Sequence, residues 1–223
     1  MNTTRRFVLA AGLVALGGVA SVLAAPSLPD QVVTHWNAAG EPDGTMAKLP
    51  ALALMPLLSA FLVGLFAVIP RLDPLGENIG EFRPYYDWFV VVFAAFMLLV
   101  HLGTLAFNLG YDVDITQVVL AGVALLFYYV GVLLGHAERN WFVGVRTPWT
   151  LSSDEVWART HRLAGRLFKL TALVSLVGLL VGDYAVYFLL VPALATAAVT
   201  VGYSYYLYER LERAGELSPN SGL

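Results

Sequence analysis

The sequence predicts an all-α, polytopic membrane protein with about six transmembrane helices and both termini in the cytoplasm. Two observations carry that prediction. Hydrophobic residues make up 58% of the chain and charged ones only 13%, against roughly 25% charged in a soluble domain. The apolar residues also fall in long uncharged runs, whereas a soluble helix needs only one apolar stripe.

A bilayer core about 30 Å thick needs roughly 20 apolar residues at about 1.5 Å of rise each. Residues 7–25, 49–69, 88–109 and 115–135 each supply that length without an acidic or basic side chain. From Leu170 to Leu207 the chain is apolar again, with Asp183 its one charged residue. A tight turn at Gly182-Asp183-Tyr184 divides this stretch into two spans, the first lengthened by snorkelling of Arg166 and Lys169. A turn near Pro192 would instead sink Asp183 into hydrocarbon, at a cost of several kcal/mol unless paired. Arg5-Arg6, the apolar run and Ala24-Ala25 also match a secretory signal peptide. The run is long for one, and no clear cleavage site precedes Pro26, so it is read as a retained span.

Orientation follows from the basic residues. Arg5, Arg6, Arg71, Arg83, Arg139, Arg146, Arg159, Arg162, Arg166, Lys169, Arg210 and Arg213 all fall on one side of a six-span chain, and Lys48 alone on the other. The positive-inside rule assigns the first group to the cytoplasm. The organisation is then a first span (1–25), an outer loop (26–48), spans two to four (49–135), an inner loop with a juxtamembrane helix (136–169), spans five and six (170–213) and a disordered tail (214–223). Without cysteine there is no disulfide, thiolate metal site or thiol nucleophile. No cofactor is implied. The basic residues serve topology and lipid head groups, so the lipid bilayer is the first partner and direct nucleic-acid binding is not expected.

The outer loop is dense in turn formers. Pro26 and Pro29 end the first helix, Gly40 suits positive φ, and Pro42-Asp43-Gly44 is strong turn chemistry. With His35, Trp36 and Asn37 it reads either as a recognition surface or as an ordered cap seated in the interfacial belt. His35 with Asp30, Glu41 or Asp43 matches no standard metal-ligand spacing. The inner loop has two parts. Residues 140–151 hold Gly144 and Pro148 and cannot form one continuous helix. Ser152 and Glu155 predict a capping box that opens a helix running into the fifth span. Trp157, His161, Gly165 and Phe168 would share one face of it. Trp141, Trp149 and Trp157 with the arginines offer a docking surface; alternatively they float at the interface and fix topology. Within the spans the polar residues are His101, Asn108, Gln117, Tyr128 and Tyr129. Gly131 with Gly135, and Gly178 with Gly182, read as close helix packing inside the monomer.

Together the two loops resemble SdpI-type membrane proteins and the domain of unknown function common among them. The outer motif is carried by Leu28, Pro29, His35, Trp36, Asn37, Gly40, Pro42, Asp43 and Lys48, with Val33 where a proline is usual. The inner block is carried by Asn140, Gly144, Arg146, Thr147, Pro148, Trp149, Thr150, Leu151, Trp157, Thr160, His161 and Gly165. The resemblance implies an immunity or signal-transduction protein without a catalytic step. Its partners would be a secreted toxin peptide outside and a transcriptional repressor held at the membrane inside. The outer set would then recognise the ligand and the inner set the partner. A small-solute transporter is the competing reading and requires a polar cavity at mid-membrane. An enzyme using His161 or His35 is a further one, and lacks a second titratable group that sequence can place.

Overall fold

A computed structural model describes residues 1–37 and 39–217; the 218–223 part of the tail expected to be disordered lies outside them. The elements run α1 (Thr3–Ala24), β1 (Gln31–Trp36), β2 (Pro42–Ala47), α2 (Lys48–Leu72), α3 (Gly76–Glu81), α4 (Arg83–Asn108), α5 (Ile115–Leu134), α6 (Pro148–Ser152), α7 (Asp154–Gly178) and α8 (Ala185–Ala214). Among the described residues six helices are long and apolar enough to cross a membrane. The protein is a multi-pass protein of the cell membrane. The turn between α7 and α8 lies where the sequence places it, with Gly182 at φ 63°, and α8 runs through Pro192.

Two features differ from expectation. The outer loop is a two-stranded antiparallel hairpin, pairing Gln31 with Ala47 and Trp36 with Pro42 through an irregular register around His35, so that Pro42-Asp43-Gly44, expected to turn, instead forms the start of β2. Also, the Ser152–Glu155 capping box does not form. Ser152 closes α6 and its hydroxyl donates to the Trp149 carbonyl at 3.1 Å. Ser153, extended at φ −149°, is the residue that caps α7, accepting from the Val156 N–H. The reciprocal box belongs to Thr147 and Thr150 at the start of α6, where Pro148 sits at the first helical position. That proline nucleates a short helix the sequence reading did not separate.

The interior prolines explain much of the helix packing. A helical proline cannot donate to the carbonyl four residues earlier, and in hydrocarbon no water replaces the lost donor. Pro56 frees Leu52, Pro70 frees Phe66 and Pro192 frees Phe188. Each freed carbonyl has a hydroxyl from another helix beside it. Ser21 of α1 donates to Leu52 O at 2.9 Å, and Tyr86 of α4 donates to Phe66 O at 2.6 Å. Ser175 of α7 lies 3.3 Å from Phe188 O while also bonding its own Thr171 O at 2.7 Å. The prolines therefore create sockets that join α1 to α2, α2 to α4 and α7 to α8.

Packing groups α1, α2 and α4 together and α5, α7 and α8 together, with α4 against α5 as the main contact between the groups. The expected glycine contact is real at Gly131. A Cβ there would stand 2.6 Å from the Gly165 carbonyl oxygen, and one on Gly165 would stand 2.7 Å from that of Gly131. These glycines let α5 and α7 meet backbone to backbone. The second pair behaves differently: Gly178 accepts the close approach of Phe188, whereas Gly182 serves the turn.

Candidate functional site

At one end of the bundle lies the hairpin. β1 is docked by Asn108 at the end of α4. Its Oδ1 accepts the Val33 N–H at 2.8 Å and its Nδ2 donates to the Val33 carbonyl at 2.9 Å. The side-chain amide thus imitates a neighbouring strand. Leu28 is buried with Ala24, Leu52 and Leu105, while Pro29 stays exposed. Lys48 opens α2 and ties the hairpin base, its N–H donating to the Asp30 carbonyl at 2.9 Å and its ammonium lying 3.6 Å from the Asp30 carboxylate.

Asn37 shapes the tip, its Oδ1 accepting the N–H groups of Ala39 and Glu41 and its Nδ2 donating to the Glu41 carboxylate. Gly40, at φ 80°, brings the tip onto Thr116 of α5, where a Cβ would meet the Thr116 hydroxyl at 2.9 Å. His35 is exposed and paired through Nδ1 with Asp43 at 2.5 Å. Pro42 opens β2 opposite Trp36. Trp36 is half-buried, edge-on to Phe107 with ring centroids 5.2 Å apart. Among the described residues no group of three or more His, Cys, Asp or Glu could hold a metal ion.

Beneath the hairpin is a mostly apolar cavity of about 390 Å³, between β1, α2, α4 and α5. His101 of α4 is on its wall. The Ser21 hydroxyl lies 2.9 Å from Leu52 O and 2.8 Å from His101 Nε2, and with the hydroxyl donating to Leu52 O the contact with His101 is completed by the Nε2–H tautomer. His101 thus completes the socket created by Pro56. A second cavity of about 310 Å³ opens near the other end, bounded by Phe66, Tyr86, Phe89, Leu133 and Val143. On α4 the two linings are separated by Phe93 and Phe96, and Phe93 packs on Phe66 at 5.2 Å. These two spaces sit toward the ends of the bundle rather than at its middle.

At the opposite end the loop between α5 and α7 folds on itself around buried polar groups. Asn140 is fully buried, donating to the Glu138 and Val143 carbonyls and accepting from the Phe142 and Val143 N–H groups. Trp157 donates from Nε1 to the Ala137 carbonyl at 2.7 Å and stacks on His161 at 3.9 Å. His161 donates from Nδ1 to the Trp157 carbonyl and accepts the Val145 N–H at Nε2, 3.0 Å away. Both ring nitrogens of a neutral imidazole are thereby used. Gly144, at φ 125°, passes so close over that ring that a Cβ would collide with Nε2. Thr147 and Thr150 are buried, and the Thr147 hydroxyl also meets Ser204 of α8 at 3.1 Å. Trp149 lies against Tyr205. Thr160 and Gly165 are buried on the inward side of α7. Of the inner set, Gly144, Arg146 and Pro148 are exposed; Trp141 and Phe142 beside them are exposed as well. Arg146 donates to the Trp141 carbonyl at 2.6 Å. The structure brings the inner residues together, and most of them serve the shape of the loop.

Sequence reading missed the residues that anchor this loop. Asp73, buried after α2, accepts the Trp141 and Leu75 N–H groups, and Asn78 of α3 donates to the Arg139 carbonyl at 2.7 Å. Arg139 reaches the Leu151 carbonyl and the Asp154 carboxylate. Within α4, Asp87 is fully buried and lies 2.6 Å from Arg83 Nε and 3.6 Å from Arg6 of α1. Apart from Lys48, the basic residues thus gather at the loop end, while Asp30, Glu41, Asp43, Asp112 and Asp114 lie around the hairpin end.

Comparison with known proteins adds two family matches. Residues 136–204 match the SdpI/YfhL protein family, and residues 12–60 match a domain of unknown function, DUF1648. The first covers the folded loop with α6, α7 and most of α8; the second covers most of α1, the hairpin and the start of α2. The chain is also 22% identical over 200 residues to the Immunity protein SdpI of Bacillus subtilis (strain 168), spanning 89% of this chain and 94% of that protein. No solved structure matches.

Proposed function

We propose that this chain, a member of the SdpI/YfhL protein family, is a membrane immunity protein that protects its cell against a secreted, membrane-active peptide. The supporting observation is the pairing of the two matched regions at opposite ends of one bundle, each built into an ordered surface. The hairpin faces outward in this reading, with both termini and the folded loop in the cytoplasm, as the basic asymmetry favours. The hairpin and adjoining helix ends meet the peptide. The exposed strip of Trp141, Phe142, Arg146 and Pro148 is the face on which a cytoplasmic partner, such as a repressor, would dock. Protection proceeds by binding rather than by catalysis, and a signal would arise only from a peptide that favours one helix arrangement over another. The aromatic layer of Phe66, Phe93 and Phe96 between the end cavities favours this reading over a solute path.

Expression in a sensitive host tests the proposal. The wild-type chain should raise survival against a cognate membrane-active peptide. Trp36→Ala and His35→Ala should reduce that survival at unchanged membrane abundance. Arg146→Ala and Trp141→Ala should reduce partner recruitment more than survival. Absence of protection against every candidate peptide, together with solute flux in reconstituted vesicles, would hand the protein to the transporter reading.

A further inference from the structure

The apolar cavity beneath the hairpin does not end at Trp36. A wider recess of about 760 Å³ adjoins it on the hairpin-tip side, and the two share Trp36, Ile115, Thr116 and Val186 in their walls. The lower space is lined mainly by aliphatic side chains such as Leu52, Met55, Val119 and Leu120. The recess is more polar and includes Glu41 and Asp114. Those two carboxylates differ from their neighbours. Asp30 is met by Lys48 and Asp43 by His35, whereas among the described residues no salt bridge involves Glu41 or Asp114. Among the described residues the Glu41 carboxylate accepts only from the Asn37 side-chain amide, and the Asp114 carboxylate only from the Gln117 N–H as the cap of α5. Trp36 lines both spaces, and among the described residues its buried Nε1 has no hydrogen-bond acceptor. An unmade bond of that kind is expensive in a structure and is relieved when a partner arrives.

We propose that the two spaces form one amphipathic site for a cationic, apolar peptide segment. Its aliphatic side chains fill the lower cavity, whose volume lies within the roughly 300–1,000 Å³ of ligand pockets. A small turn of the Trp36 ring, whose Nε1 is closed to solvent as it stands, brings that N–H to a backbone carbonyl of the segment. A Lys or Arg side chain beyond it reaches Glu41 and Asp114. Charge selects the occupant: a lipid acyl chain would fill the lower space but leave the carboxylates and the indole N–H unmet. This rests on the reading of the hairpin end as the recognition face, and names the ligand class for it.

The absence of cysteine supplies the assay. In the full chain in nanodiscs, Val119→Cys places one thiol on the lower cavity wall, and Gly80→Cys serves as a control at the other end. The rate of N-ethylmaleimide labelling is measured with acetyl-Leu-Leu-Lys-Leu-Leu-amide and with its Glu-for-Lys counterpart. The Lys peptide should slow labelling at Val119→Cys alone, and the Glu peptide should not. Adding Glu41→Gln and Asp114→Asn, which keep the two local hydrogen bonds while removing charge, should raise the half-protective concentration about tenfold. Trp36→Phe should raise it by about threefold. Equal protection by both peptides, or protection by the Lys peptide unchanged in the charge-removed variant, would overturn the site in favour of simple partition with lipid. Survival in the sensitive host separates the two claims. A charge-removed variant that still protects cells leaves immunity standing and removes this site; a wild-type chain that binds the Lys peptide but protects no cell keeps the site and removes immunity.

Discussion

The proline sockets give the sharpest test of how this fold is held. Tyr86→Phe deletes one oxygen from a fully buried ring and leaves its packing with Ile79, Phe82 and Val90 in place. What changes is the Phe66 carbonyl. Pro70 cannot donate to it, so the 2.6 Å bond from Tyr86 Oη is what remains. Leaving a buried acceptor unpaired costs about 1–3 kcal/mol. Interhelical hydrogen bonds measured inside membranes average nearer 0.6 kcal/mol, because the reference state finds partners too. The isolated carbonyl has no such alternative within its own helix, which places the expected cost at about 1–2 kcal/mol.

Pro70→Ala restores an N–H that can bond Phe66 O directly. In that background Tyr86→Phe should cost less than about half as much, since the carbonyl keeps a donor. The assay is reversible SDS-induced unfolding of the purified protein, followed by circular dichroism, for the four members of the cycle. Any cost of the proline change itself cancels in the coupling energy. Additivity within about 0.3–0.5 kcal/mol would mean that the Tyr86 hydroxyl contributes independently of the proline, and the socket argument would fail.

Three other outcomes follow from the same geometry. Gly165→Ala should destabilise the protein by about 1–3 kcal/mol, because the methyl meets a backbone carbonyl that cannot yield; Gly202→Ala, with open space around it, should be neutral or better in the same unfolding assay. Asp87→Asn leaves Arg6 and Arg83 without their shared carboxylate and should cost about 3–5 kcal/mol, read as a fall in the SDS concentration at the unfolding midpoint. Single cysteines at Ala39 and Asp114 should react with an impermeant thiol reagent on intact cells while those at Gly80 and Ser152 should not; labelling at Gly80 or Ser152 inverts the orientation.

The spans were legible because crossing a bilayer is a requirement of length and charge, both countable along the chain. The hairpin was not, although Val32, Val33 and Thr34 are β-branched. A lone two-stranded hairpin is marginal by itself, and this one depends on Asn108, distant in sequence. Asp87 escaped notice because it stands one residue before an uncharged run, and its partner Arg6 is on another helix. At the start of α7 two adjacent serines compete for one cap, and the choice depends on Pro148 having already committed Ser152 to α6. The inner block illustrates the same limit for function. Trp157 reads as part of a contact surface from residue type, and His161 and Gly144 join it through the family resemblance. Only the fold shows that Gly144 lies on the His161 ring, and that the exposed remainder centres on Arg146, with Trp141 and Phe142 beside it.

That arrangement also bears on how an event at the hairpin could reach the loop. α4 holds the hairpin through Asn108 at one end, and at the other it carries Tyr86 and Asp87, which grip α2 and α1. α5 touches the hairpin tip at Thr116 and meets α7 at Gly131. α7 in turn carries Trp157 and His161, on which the loop is wrapped. The hairpin therefore rests on both helices of the main contact between the two groups, and the loop is built on the group that contains α5. A ligand lodged between β1, α4 and α5, as proposed above, would act on the spacing of that contact. Tightly packed interiors respond to such a load by shifting elements as units rather than by stretching. At Gly131 and Gly165 the two backbones meet directly, so a displacement of α5 at that point would load α7, and the loop it supports, without an intervening side chain between those two residues.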